Sequence, residues 1–141
     1  MTREETTRFL ERWQQAWAAQ DPTALANLYA AEGRIQSPMF GQVQGRAAVI
    51  ESFRKLFTAF PDWKLKMEQP IIDGNRAAIV CVINATHSAD FMGLPATGRK
   101  VQVSGTVVLR LGEGTIEEEL RLYDFTGLLV QVGVLRAKVG H

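Results

Sequence analysis

Two ionisable residues, Asp124 and His87, each end an apolar alternation, and these are the positions where the chain could move a proton. In IEEELRLYD, residues 116–124, Glu117, Glu119, Arg121 and Tyr123 alternate with Glu118, Leu120, Leu122 and Asp124. That period of two belongs to a strand. The face with two leucines reads as the interior, so Asp124 is expected to close a buried row. A buried carboxylate is costly unless it is paired, hydrogen-bonded or protonated. Burial raises the pKa of a carboxyl group, which suits a general acid or base near neutral pH. Capping stands beside catalysis as a role for this residue, because Asp is a favoured N-cap and Gly127 leads into an apolar run. His87 ends the face formed by Ala77, Ile79, Cys81, Ile83 and Ala85. It reads either as a structural hydrogen-bonder or as a proton-transfer partner, since imidazole titrates in the useful range.

The remaining elements must hold these two groups. Phe9, Trp13 and Trp17 recur every four residues and predict a helix over 4–20. Asp21 and Pro22 predict the cap and first position of a second helix reaching about residue 29. Asp21 could be a pocket acid, but capping accounts for it. A short strand is expected at 34–37. A third helix is expected at 46–60, with Val49, Ile50, Phe53, Leu56, Phe57 and Phe60 on one face and Pro61 as its stop. From residue 62 the period changes to two. Strands are expected at 63–67, 76–87, 100–111 and 116–124, with a greasy loop at 88–98 containing Phe91, Met92 and Leu94. In the last hairpin Val103, Gly105, Val107 and Leu109 are expected to face the same way as Leu120, Leu122 and Asp124. Arg110 would then lie outside with Glu117 and Glu119. A closing apolar segment at 128–135 precedes a polar tail.

Composition narrows the classes. The chain has 141 residues, enough for a single domain with a sizeable core. Its net charge is +1 with no basic block, which argues against nucleic acid. One cysteine, Cys81, excludes an intrachain disulfide and a cysteine-based zinc site. No run approaches a membrane span, and the charged start lacks a signal-peptide pattern. A cytoplasmic protein is expected, with no membrane partner.

Three helices followed by antiparallel strands form an α+β order. ATHSADFMGLPATGRKV resembles the GTH-x-G-x-F-x-G-x-P-x-TG segment of the SnoaL-like polyketide cyclases (ester cyclases). YDFTGLLVQVGVL is similar to their closing D-x-x-x-LL-x-QLG, and AFPDWKLKMEQPIIDGNRAAI to their FPD…DG region. Leu120 stands where many relatives have Trp, and Ala85 and Ala89 replace two glycines. The resemblance implies a nuclear transport factor 2-like (cystatin-like) α+β barrel, with a curved antiparallel sheet packed on three helices around an apolar pocket. It implies a homodimer or higher homo-oligomer through the outer sheet face. It also implies acid/base chemistry without cofactor or metal, in which Asp124 removes a proton beside a carbonyl and sets up aldol cyclisation of a small apolar substrate; the strand pattern offers His87 as its partner. Trp13, Trp17, Tyr29, Phe53, Trp63, Phe91, Leu94, Leu120 and Leu122 are expected to line the pocket. An enolate also needs an oxyanion donor, for which His87, Tyr29 and Trp17 are available. Other readings of such a domain are an isomerase or hydrolase on the same fold, a non-catalytic binder of small molecules, and a dimerisation module with a filled cone.

Overall fold

The structure, a computed structural model, describes residues 1–91 and 93–136. Met92 and the end of the polar tail, 137–141, lie outside the described residues. Helix α1, Arg3–Ala19, begins on a capping box: Thr2 accepts from the Glu5 N–H, and the Glu5 carboxylate accepts from the Thr2 N–H at 2.9 Å. Its Phe9, Trp13 and Trp17 stripe is buried. Helix α2, Pro22–Ala26, starts as the sequence predicts, with Asp21 accepting from the Ala24 N–H at 3.1 Å. Asp21 is therefore a cap. This helix is shorter than expected, because Tyr29 opens a strand.

That strand, β1 (Tyr29–Ser37), turns back into β2 (Gly41–Gln44), and α3 follows at Arg46–Ala59. Strands β3 (Lys64–Met67), β4 (Ile71–Asp73), β5 (Arg76–Thr86), β6 (Lys100–Leu111) and β7 (Ile116–Tyr123) lead to a final helix, α4, at Phe125–Gln131. One sheet runs β2-β1-β7-β6-β5-β3, with β4 also paired to β5. The sheet is antiparallel except between β1 and β7, which are parallel. That pairing is the exception in the antiparallel sheet expected from the sequence. The core joins the inner sheet face to α1, α3 and Leu128 of α4.

One irregularity decides which side chains face that core. Leu111 pairs with Ile116, yet the next residue back along β6, Arg110, pairs with Glu118. Glu117 is thus an extra residue in β7, a bulge. Ile116 is buried, Glu117 and Glu118 both turn outward onto Arg110, and the alternation resumes with its faces exchanged. A one-residue slip of register moves every later side chain to the opposite face. Val107 is therefore opposite Arg121, and Leu109 opposite Glu119. The inward set is Glu119 and Arg121, at 2% and 9% exposure, with Tyr123 half-buried. Leu120 and Leu122 are exposed at 36% and 52%, and Asp124 is exposed with them. The expectation that Leu120, Leu122 and Asp124 face inward is thereby corrected. On β5 and β6 the expected inner faces are the observed ones.

Candidate active site

Two adjoining cavities open between the curved sheet and the helices. The inner one, about 70 Å³, is walled by residues such as Trp17, Phe60, Trp63, Cys81, Val103, Val107, Arg121 and Tyr123. The outer one, about 300 Å³, is walled by Met39, Phe60, His87, Phe91, Leu94, Phe125, Leu128, Leu129 and Val132. Met39, Phe60 and Leu128 belong to both walls.

Arg121 is the charged side chain of the inner wall. Its guanidinium lies 5.4 Å from the Trp17 ring and 5.3 Å from the Phe53 ring, within cation–π range of both. Its Nε donates to Glu119 Oε2 at 2.5 Å, and the Tyr29 hydroxyl donates to Glu119 Oε1 at 2.5 Å. Behind them the Trp13 indole N–H reaches the Tyr29 oxygen at 3.4 Å. Burial works against the charge of Arg121, but the adjacent Glu119 carboxylate outweighs it and holds the guanidinium above its ordinary pKa. Burial, and after it the negative charge of Glu119, push the Tyr29 phenol well above its ordinary value. The network is a buried ion pair with a neutral phenol behind it.

His87 sits at the far end of β5, 1% exposed. The hairpin continues past the strand there, with the His87 N–H donating to the Arg99 carbonyl and the Gly98 N–H to the His87 carbonyl, each at 2.9 Å. Its Nδ1 is 3.1 Å from Thr97 Oγ1, while its buried Nε2 has no partner among the described residues. In the tautomer that donates Nδ1–H to Thr97, Nε2 carries the lone pair of a base. The greasy loop after it does two things the sequence left open. Phe91 packs against Phe40 and Phe60, at 5.6 and 5.2 Å between centroids, and with Leu94 it also walls the outer cavity.

The predicted site residues therefore divide. Trp17 and Trp63 wall the inner cavity, Leu122 borders it although half exposed, and His87, Phe91 and Leu94 wall the outer one. Trp13, Tyr29 and Phe53 are fully buried behind Arg121. Leu120 lies on the outer sheet face beside Arg34, Val108 and Glu118. Asp124 is the N-cap of α4, accepting from the Gly127 N–H at 2.8 Å, and walls neither cavity. Its capping role is the one the geometry displays. Glu119 and Arg121 escaped the sequence reading because the bulge hides their direction. An acid and a base two residues apart on one strand face were the available signal.

A family model for the SnoaL-like polyketide cyclases matches residues 7–132. The chain belongs to the SnoaL-like polyketide cyclase family. No curated protein shows significant similarity to the sequence. Among solved structures, AclR from Streptomyces galilaeus, provisionally assigned as a hydroxylase, superposes with a TM-score of 0.83 at 23% identity, covering 98% of this chain and 87% of that one. A protein from Jannaschia sp. CCS1, provisionally assigned as a SnoaL-like polyketide cyclase, gives 0.84 at 18% identity over 94% of each chain. A Catenulispora acidiphila protein with a ketosteroid isomerase-like fold gives 0.75 at 20% identity over 89% and 92%. At these identities the neighbours establish the fold, that of the nuclear transport factor 2 and ketosteroid isomerase type. Family membership supports an enzyme of the cyclase kind. No helix among the described residues is long and apolar enough to cross a membrane.

Proposed function

We propose that this SnoaL-like chain is a cofactor-free acid/base enzyme that removes a proton from carbon beside a carbonyl in a small apolar substrate. The observation that carries the reading is the buried Nε2 of His87, without a partner among the described residues, in the wall of an apolar cavity. With Asp124 exposed at its cap, His87 takes the role of base. Nε2 accepts the α-proton, and the C–H electron pair becomes the enolate double bond as the carbonyl π pair moves onto oxygen. For cyclisation, the enolate carbon attacks a second carbonyl of the same molecule and forms a carbon–carbon bond. The resulting alkoxide recovers the proton from the imidazolium, so no oxidant or reductant is consumed.

Deuterium uptake into small aryl ketones and β-keto esters in D2O, followed by proton NMR, tests this. His87→Gln is expected to slow catalysed exchange by about 10²–10⁴-fold, while Asp124→Asn stays within a few-fold of wild type. Exchange unchanged in His87→Gln, or abolished in a folded Asp124→Asn protein, would return the role to Asp124. A second reading, a non-catalytic binder, is favoured by the apolar walls of both cavities; it predicts bound ketone with no exchange. Assembly and compartment belong to the same proposal. Val80, Leu120 and Leu122 are exposed on the outer sheet face among Arg34, Arg110 and Glu118, which suits a homodimer. The free, buried thiol of Cys81 suits a reducing cytoplasm.

A further inference from the structure

We infer that Arg121 is the group by which the cone recognises its ligand, and that the ligand's buried end is the oxygen of a neutral carbonyl. This rests on the reading of the cone as the ligand site, but not on His87 being a base. Arg121 is held from one side only. Its Nε is engaged by Glu119 and its charged plane lies against the Trp17 and Phe53 rings, but Nη2 is buried without an acceptor among the described residues. The indole N–H groups of Trp17 and Trp63, two further wall residues, are likewise buried without acceptors. Buried donors are ordinarily paired, and each unpaired one costs free energy. All three belong to residues that wall one cavity, which suits a guest that accepts hydrogen bonds.

Charge narrows the class of guest. Glu119 already neutralises Arg121 in a buried pair. A carboxylate ligand would add a second buried negative charge against a single cation, at a heavy desolvation cost. A ketone or ester oxygen gains a charge-assisted donor without that cost. The aromatic and aliphatic walls then accept an apolar body, in keeping with a planar, ring-bearing compound. Should the carbonyl become an enolate, the same N–H stabilises the developing charge.

Acetophenone, ethylbenzene and benzoate share one ring and differ in the group offered to Arg121. Binding is followed by nitrogen–proton NMR of the indole N–H and arginine Nε–H signals. Wild type is expected to bind acetophenone about ten-fold or more tighter than ethylbenzene, with benzoate weaker than acetophenone and the Trp17 and Trp63 signals moving. In the charge-balanced double variant Glu119→Gln/Arg121→Met, the preference for the ketone should fall to near unity while ethylbenzene binding stays within a few-fold. Arg121→Lys, which keeps the charge but moves the donor, should also reduce it and serves if the double variant does not fold. Equal binding of ketone and hydrocarbon by wild type, a preference that survives in the variants, or tightest binding of benzoate would overturn the inference alone. Failure of all three probes to bind would overturn it together with the cone as a ligand site.

Discussion

Glu119→Ala should be among the most damaging single substitutions on the sheet, although it removes no apolar packing. Glu119 is 2% exposed and accepts from both Arg121 and Tyr29 at 2.5 Å. Truncating it strands a guanidinium that is 9% exposed and cannot shed its charge. Breaking a buried pair in this way costs about 3–5 kcal/mol. At about 3 °C per kcal/mol for a chain of this length, the melting temperature should fall by about 10–15 °C. Arg121→Met leaves the carboxylate stranded instead and should cost a similar amount. Glu119→Gln/Arg121→Met leaves no uncompensated charge, and its amide oxygen can still accept from Tyr29. It should therefore cost less than Arg121→Met alone, the opposite of additivity. Urea unfolding followed by circular dichroism, read at constant slope, measures all of these. A Glu119→Ala protein within about 1 kcal/mol of wild type, or a double variant equal to the sum of its singles, would refute the buried-pair account.

The two tyrosines and one glycine supply further checks. Burial is the first cause that raises both Tyr29 and Tyr123 above the ordinary phenol value of 10.0. The folded chain therefore holds these protons more tightly than the unfolded chain. The stability linked to them is complete below that value and is lost as pH rises through the raised pKa values. Absorbance at 295 nm should show no tyrosinate near pH 10 while the dichroism stays native, with both phenols ionising as the chain unfolds. A tyrosine titrating near its ordinary value in the folded protein would contradict the burial. Gly105→Ala should destabilise by about 1–3 kcal/mol, because a Cβ there would meet the Leu122 carbonyl oxygen at 2.6 Å and Tyr123 Cβ at 2.9 Å. The β6–β7 ladder cannot yield without breaking its own hydrogen bonds, so a neutral result in urea unfolding would mean that Tyr123 does not close over Gly105.

Much of the frame was legible in the residues themselves. The Phe9, Trp13 and Trp17 stripe, the Asp21–Pro22 start signal and the alternation of β5 and β6 each carry their period within one element, and the described helices and strands follow them. The family resemblance read from residues 59–135 agrees with the model match over 7–132. Strand β1 was harder to see, because one of its two partners is β7, more than eighty residues away, and its AAEGR segment shows no clean alternation. On β7 the direction of the site residues was hidden for one reason. Glu117 and Glu118 are both polar, so nothing local marks that both turn outward, and a single extra residue in β7 exchanges the faces of all that follow. Pattern alone puts leucines inside and charges outside. Tertiary structure reversed this on β7, because Glu119 and Arg121 neutralise each other across two residues and Tyr29 arrives from another strand to complete them. Which groups are buried was decided by partners that only the folded chain brings together.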